Sequence, residues 1–118
     1  MQALKAGEVD AYLAMADPLA VNQSQLIIDT AKAKRLPTMH NFKSEVVKGG
    51  LATYGVNFHE VGRLSAKYVQ RVLTGVKPQD LPVQGIDKIE LIINLRTAKQ
   101  IGLNIPPNVL ARADRIIR

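Results

Sequence analysis

The chain has no cysteine and no tryptophan, and its aromatic residues are three tyrosines and two phenylalanines. Without cysteine there are no disulfides and no thiolate metal sites. Two histidines, His40 and His59, are too few for a dedicated zinc site. No apolar run approaches the ~18 residues a membrane-spanning helix needs. The start, MQALKAGEVD, lacks a basic stretch followed by a long apolar one, so it does not read as a signal peptide. The Gly49–Gly50 pair is not a phosphate loop, because no G-x-G-x-x-G or Walker pattern surrounds it. There is also no G-x-S-x-G elbow and no acid pair beside a base. No catalytic constellation is visible, and the chain does not read as an enzyme.

What is present fits one folded α/β unit. The chain has 118 residues, of which 47% are hydrophobic, enough for a core and too many for a disordered chain. The net charge is +6, and it is uneven. Residues 1–58 carry six Lys/Arg against five Asp/Glu, and residues 59–118 carry ten against five. A basic half can mark nucleic-acid binding. Here the charges are spaced three or four apart, as on a solvated helix face, and aromatics for base stacking are scarce. Nucleic acid is therefore not an expected partner.

Hydrophobic periodicity and breakers order the elements. Residues 2–6 read as the tail of a helix stopped by Gly7. The apolar run 9–16, VDAYLAMA, suits a buried parallel strand. A helix follows from about Asn22 or Ser24, with Leu26, Ile27 and Ala31 facing inward and Lys32, Lys34 and Arg35 at its end. Short strands are expected at 36–42 and 51–55, with a short helix at 44–50 between them. The clearest helix is 57–74. Asn57 and Glu60 make a capping box, Val61, Leu64, Tyr68 and Val72 an apolar stripe, and Gly75 a stop. Residues 76–85 read as a linker, 86–95 as a strand, then a short helix, and a last helix over 104–117 entered through Pro106 and Pro107. Strands alternating with helices imply a mostly parallel sheet with helices on both faces.

In such sheets ligands bind beyond the carboxyl ends of the strands. Asp17 follows the first strand, with Pro18 fixing the turn behind it. Asn41 and Phe42 hold the same place after the second strand, and Tyr54 and Gly55 after the third. A carboxylate, an amide, two rings and a glycine turn could converge on one small ligand site. Each also has a plainer reading. Asp17 could cap the next helix, Tyr54 could be core, Phe42 could cover a helix end, and His40 reads as packed rather than ligating.

Three blocks carry a resemblance. They are AGEVDAYLAMADPLAVNQSQLIIDTAKAKRLPTMHNF, GGLATYGVNFHEVGRLSAKYVQRVLTGVKPQDLPV and ELIINLRTAKQIGLNIPPNVLARAD. In order and spacing they resemble the C-terminal part of the substrate-binding proteins of ABC transporters, the group with tryptophan/tyrosine-type permease receptors. The resemblance implies a partial type I periplasmic-binding-protein fold, mainly its second lobe. It implies a piece of a receptor about three times longer, lacking the first lobe's main sheet and the export signal. Residues 1–50 and 83–118 would be second-lobe-like, and 51–82 first-lobe-like and open to exchange between subunits. The implied function is solute binding for uptake: a small molecule such as an amino acid, held between lobes by Asp17, Asn41, Phe42, Tyr54 and Gly55. The implied partners are an ABC permease and, to cover the 57–74 stripe, a second copy of the chain. No cofactor is implied, and the implied location is periplasmic or extracytoplasmic. The alternative is a self-associating α/β scaffold that has lost ligand binding.

Overall fold

A computed structural model of the chain describes residues 7–118; the helix tail expected at 2–6 lies outside them. The chain divides into two compact units. One comprises residues up to Gly55 together with Glu90–Arg118, and the other Val56–Ile89.

The first unit is an α/β sheet. Its elements are β1 (Tyr12–Leu13), α1 (Pro18–Asn22), α2 (Ser24–Ala33), β2 (Thr38–His40), α3 (Lys43–Val47), β3 (Ala52–Val56), β4 (Ile89–Asn94), α5 (Leu95–Ile101), α6 (Pro107–Leu110) and β5 (Arg115–Ile117), with β3 and β4 running one residue into the other unit. The strands lie in the order β1-β2-β3-β4-β5. β1 pairs parallel with β2, β2 with β3, and β4 with β5. Asn94 at the end of β4 donates its N–H to the Leu51 carbonyl just before β3, at 2.8 Å. The end of β4 thus meets the start of β3, so β4 and β5 point the opposite way from β1–β3. The carboxyl ends of β1, β2 and β3 share one edge.

Register sets the two faces. Met39 pairs with Ala52 and His40 with Thr53, so alternate residues point to opposite sides. Met39 packs with the cluster of Leu51, Ala52, Ile93, Ala98 and Ile101, joined by Val109 and Leu110 of α6. His40 faces Glu45 of α3. Ile28, Ala31 and Val46 are buried on the helices α2 and α3. The hydrophobic effect on these side chains is the main force holding this unit.

Several local expectations change. On α2 the expected inward residue Leu26 is exposed, and Ile28 is buried in its place beside Ala31. The expected strand 9–16 is a ladder of two residues, with the Ala14 N–H bonded to the Met39 carbonyl just beyond it. The last helix ends at Leu110, and residues 115–117, expected as its continuation, are β5. Asp114 causes this: its backbone N–H reaches the Leu91 carbonyl, and its Oδ2 accepts the Leu91 N–H at 2.8 Å. Helix α2 stops without a glycine. Arg35 takes a left-handed φ of 53°, and the Leu36 N–H returns to the Ala31 carbonyl.

The second unit is built on α4 (Phe58–Leu73). Asn57 caps it, accepting from His59 and Glu60 N–H. The expected capping box is half formed, because the Glu60 carboxylate takes Arg63 instead, at 2.7 Å. Gly75, at a φ of 102°, ends the helix, with the Val76 N–H on the Arg71 carbonyl. The linker that follows holds a single 3₁₀ turn at Pro78–Asp80.

Candidate functional site

The candidate site sits at the shared carboxyl edge of β1–β3. A cavity of about 330 Å³ there is lined by Ala16, Asp17, Pro18, Val21, Asn22 and Phe42. Small-molecule sites run from ~300 to 1,000 Å³, so this one is at the small end.

Asp17 fills two roles. Its Oδ1 accepts from the Leu19 and Ala20 N–H groups at 2.9 and 3.2 Å, the N-cap of α1. Pro18 stands at the first helical position, where its missing N–H costs nothing. The capping reading is therefore correct for one oxygen. The other, Oδ2, has no protein donor among the described residues.

Asn41 acts as a tie. Its Nδ2 donates to the Ala14 carbonyl at 2.9 Å, binding the end of β2 to the end of β1. This bond holds the Asp17 turn against the Phe42 turn. Phe42 is the N-cap residue of α3; its N–H donates to Glu45 Oε2 at 3.3 Å. Its half-buried side chain lines the cavity facing Asp17.

Gly55 sits against the same edge. A Cβ there would come 3.1 Å from the Asn41 carbonyl oxygen, so glycine lets the end of β3 approach closely. Tyr54 is 62% exposed and so is not core. Neither Tyr54 nor Gly55 lines the cavity. Of the expected five, the structure brings Asp17 and Phe42 into one cavity, ties them through Asn41, sets Gly55 against Asn41, and leaves Tyr54 exposed outside the cavity lining.

Directly behind Phe42, His40 is packed as expected, but with the buried polar partners Glu45 and Thr38, which sequence reasoning passed over. His40 is 2% exposed. Its Nε2 lies 3.0 Å from Thr38 Oγ1, which accepts the Leu51 N–H. Its Nδ1 lies 3.6 Å from Glu45 Oε2 and has no hydrogen-bond partner. Burial pushes the imidazole below its ordinary value, and the Glu45 carboxylate opposes the shift. The available signal was Glu45 at the third position of a helix that starts right after His40-Asn41-Phe42.

A larger groove, about 630 Å³, belongs to the second unit. It runs between α4 (Leu64, Tyr68, Val72) and the segment Leu81–Val83, which is held by the Tyr68 hydroxyl donating to the Pro82 carbonyl. It contains no ionisable group other than the Tyr68 phenol. Among the described residues there is no cluster of three or more metal-binding side chains.

Comparison with known proteins gives this geometry a context. The model of the ABC transporter substrate binding protein family matches residues 1–117. The chain belongs to that family. The Tyrosine-binding protein of Clostridioides difficile is 27% identical over 97 residues, which is 82% of this chain and 28% of that protein. A conserved domain protein from Vibrio cholerae superimposes with a TM-score of 0.85 at 32% identity, covering 94% of this chain and 38% of that one. The ABC domain of Streptococcus pneumoniae, solved in complex with L-Trp, has a TM-score of 0.85 at 28% identity, covering 95% and 38%. This chain of the ABC substrate-binding family thus spans roughly a third of the length of the relatives it matches. The family is one of binding proteins, not of enzymes. No described helix is long and apolar enough to cross a membrane.

Proposed function

We propose that the chain supplies one wall of a solute site in an ABC-type uptake receptor working outside the cytoplasmic membrane with a permease. The solute is an amino acid with a planar or apolar side chain. The observation that carries this reading is Asp17 and Phe42 facing one cavity at the carboxyl edge of a parallel sheet. Asp17 Oδ2 accepts the ligand ammonium, a charge-assisted hydrogen bond. The Phe42 ring packs on the side chain. Asn41 positions both turns through Ala14, and Gly55 lets β3 close on Asn41. Tyr54, exposed beside the site, contacts the ligand from its open side. The tryptophan and tyrosine in the relatives' names support this chemical class. Residues 7–55 and 90–118 then correspond to one lobe of the receptor, and 56–89 to a segment of the other.

The test is calorimetric titration of the chain with L-tryptophan and L-tyrosine. Asp17→Asn keeps a good N-cap and removes the charge. It should weaken binding roughly 10-fold or more, since bonds to charged groups contribute about 1.5–3 kcal/mol. Equal binding by wild type and Asp17→Asn would refute the role of Asp17.

A further inference from the structure

The buried histidine behind the cavity touches the same oxygen that holds the cavity wall. Glu45 Oε2 accepts the Phe42 N–H at 3.3 Å and lies 3.6 Å from His40 Nδ1. A hydroxyl that already accepts one bond still has a proton to donate. Thr38 Oγ1 accepts from Leu51 N–H and keeps a proton that can be given to His40 Nε2, 3.0 Å away. In that tautomer the neutral ring carries its own proton on Nδ1, toward Glu45 Oε2 at 3.6 Å, too far for a hydrogen bond.

We infer that His40 and Glu45 form a proton-sensitive brace on the Phe42 wall: protonating His40 draws the Glu45 carboxylate off the Phe42 N–H and weakens solute binding in the Asp17 cavity. The binding half of this statement rests on the solute-site reading above.

The geometry leaves few other responses. Once charged, the ring faces a carboxylate across a short gap in poorly solvated surroundings, where attraction is much stronger than in water. The ring itself cannot swing away. The backbone of Gly50 lies so close that a Cβ there would be 2.5 Å from His40 Cδ2. The carboxylate is the part free to move. Its bond to Phe42 is already long, so a shift toward Nδ1 breaks it. Phe42 is joined through Asn41 to Ala14, and so to the Asp17 turn, which carries the change to both walls.

Other charged groups on the surrounding elements do not compete. Lys32 of α2 lies beside Gly49 and pairs with Asp29 at 3.4 Å. Lys43 at the start of α3 is exposed, and Tyr12 of β1 stands opposite Thr38. Glu45 is the charged group that acts on His40, and burial sets the direction of its titration.

The experiment follows the Phe42 amide and the His40 ring by NMR from about pH 5 to about pH 8, the range in which histidine titrates. The Phe42 amide should shift with the same midpoint as His40, below 6.5. In His40→Gln it should be flat. Glu45→Gln, which keeps a neutral acceptor for Phe42, should be flat too, and serves if His40→Gln fails to fold. L-tryptophan is the binding probe. Its affinity should fall roughly 5-fold or more from the upper to the lower end of the range in wild type, a typical coupling size, and stay constant in the variants. A Phe42 amide that ignores a titrating His40 overturns the brace, and so does tryptophan binding equally well at both ends. No tryptophan binding at any pH overturns the solute-site reading instead, and the brace is then decided by the Phe42 amide alone.

Discussion

Every described residue that the fold buries lies in the sheet unit, at 14–53 or 92–101; residues 56–89 bury none. The difference shows two ways of specifying structure. Helix α4 is written locally, by Asn57 at its start, Gly75 at its end and an apolar stripe between. The sheet unit is written at long range. Asn41 to Ala14, Asn94 to Val46 and Thr97 to Gly49 join elements 27 to 48 residues apart. One unit is held by tertiary packing, and the other depends on helix signals and half-buried contacts, which in isolation are marginal.

The largest expected effect tests this contrast directly. Ile28 is 1% exposed, and Ile28→Ala should cost about 2–5 kcal/mol by lost transfer energy and a residual cavity. Val72, 39% exposed on α4, should change stability by no more than about 0.5 kcal/mol as Val72→Ala. Urea melts followed by circular dichroism measure both. Similar losses at the two positions would mean that α4 is buried in solution, and the contrast would fail.

The same division explains what the sequence shows by itself. The stripe Val61, Leu64, Tyr68, Val72 and both ends of α4 are legible because each signal lies within a few residues of what it governs. β5 is not legible: three residues are too short to display a period, and only the docking of Asp114 on Leu91 makes them a strand. The end of α2 is hidden for a similar reason, since Arg35 takes a conformation usually left to glycine. The cavity lined by Asp17 and Phe42 is legible as a candidate site because the strand ends of a parallel sheet share one edge. The tie made by Asn41 and the solvent-facing place of Tyr54 are tertiary facts with no local trace.

Glycines give an intermediate effect of opposite sign in the two units. Gly50→Ala would place a methyl 2.5 Å from the buried His40 ring and 3.1 Å from the Glu45 carbonyl oxygen. Overpacking of this kind costs about 1–3 kcal/mol. Gly62 lies within α4 with nothing within 4 Å of its virtual Cβ. Gly62→Ala should stabilise by about 1 kcal/mol, the helix propensity difference. Thermal melts of the two variants should move in opposite directions. A loss at Gly62 would place a neighbour against that face of α4.

The smallest effect is in pH, and it too belongs to the sheet unit. Burial lowers the folded-state value of His40 beneath the 6.5 of the free side chain. Below 6.5 the unfolded chain therefore binds a proton that the folded chain resists, so stability rises with pH in this range. The contribution is complete above 6.5 and is lost as pH falls toward the lowered folded value. Glu45 sets how far that loss goes, because its carboxylate favours the charged ring. Wild-type urea midpoints should fall on acidification from neutral pH, and His40→Gln should flatten the part of the slope nearest 6.5. A slope that His40→Gln left unchanged would mean that the buried cluster behind Phe42 is not the source of the response.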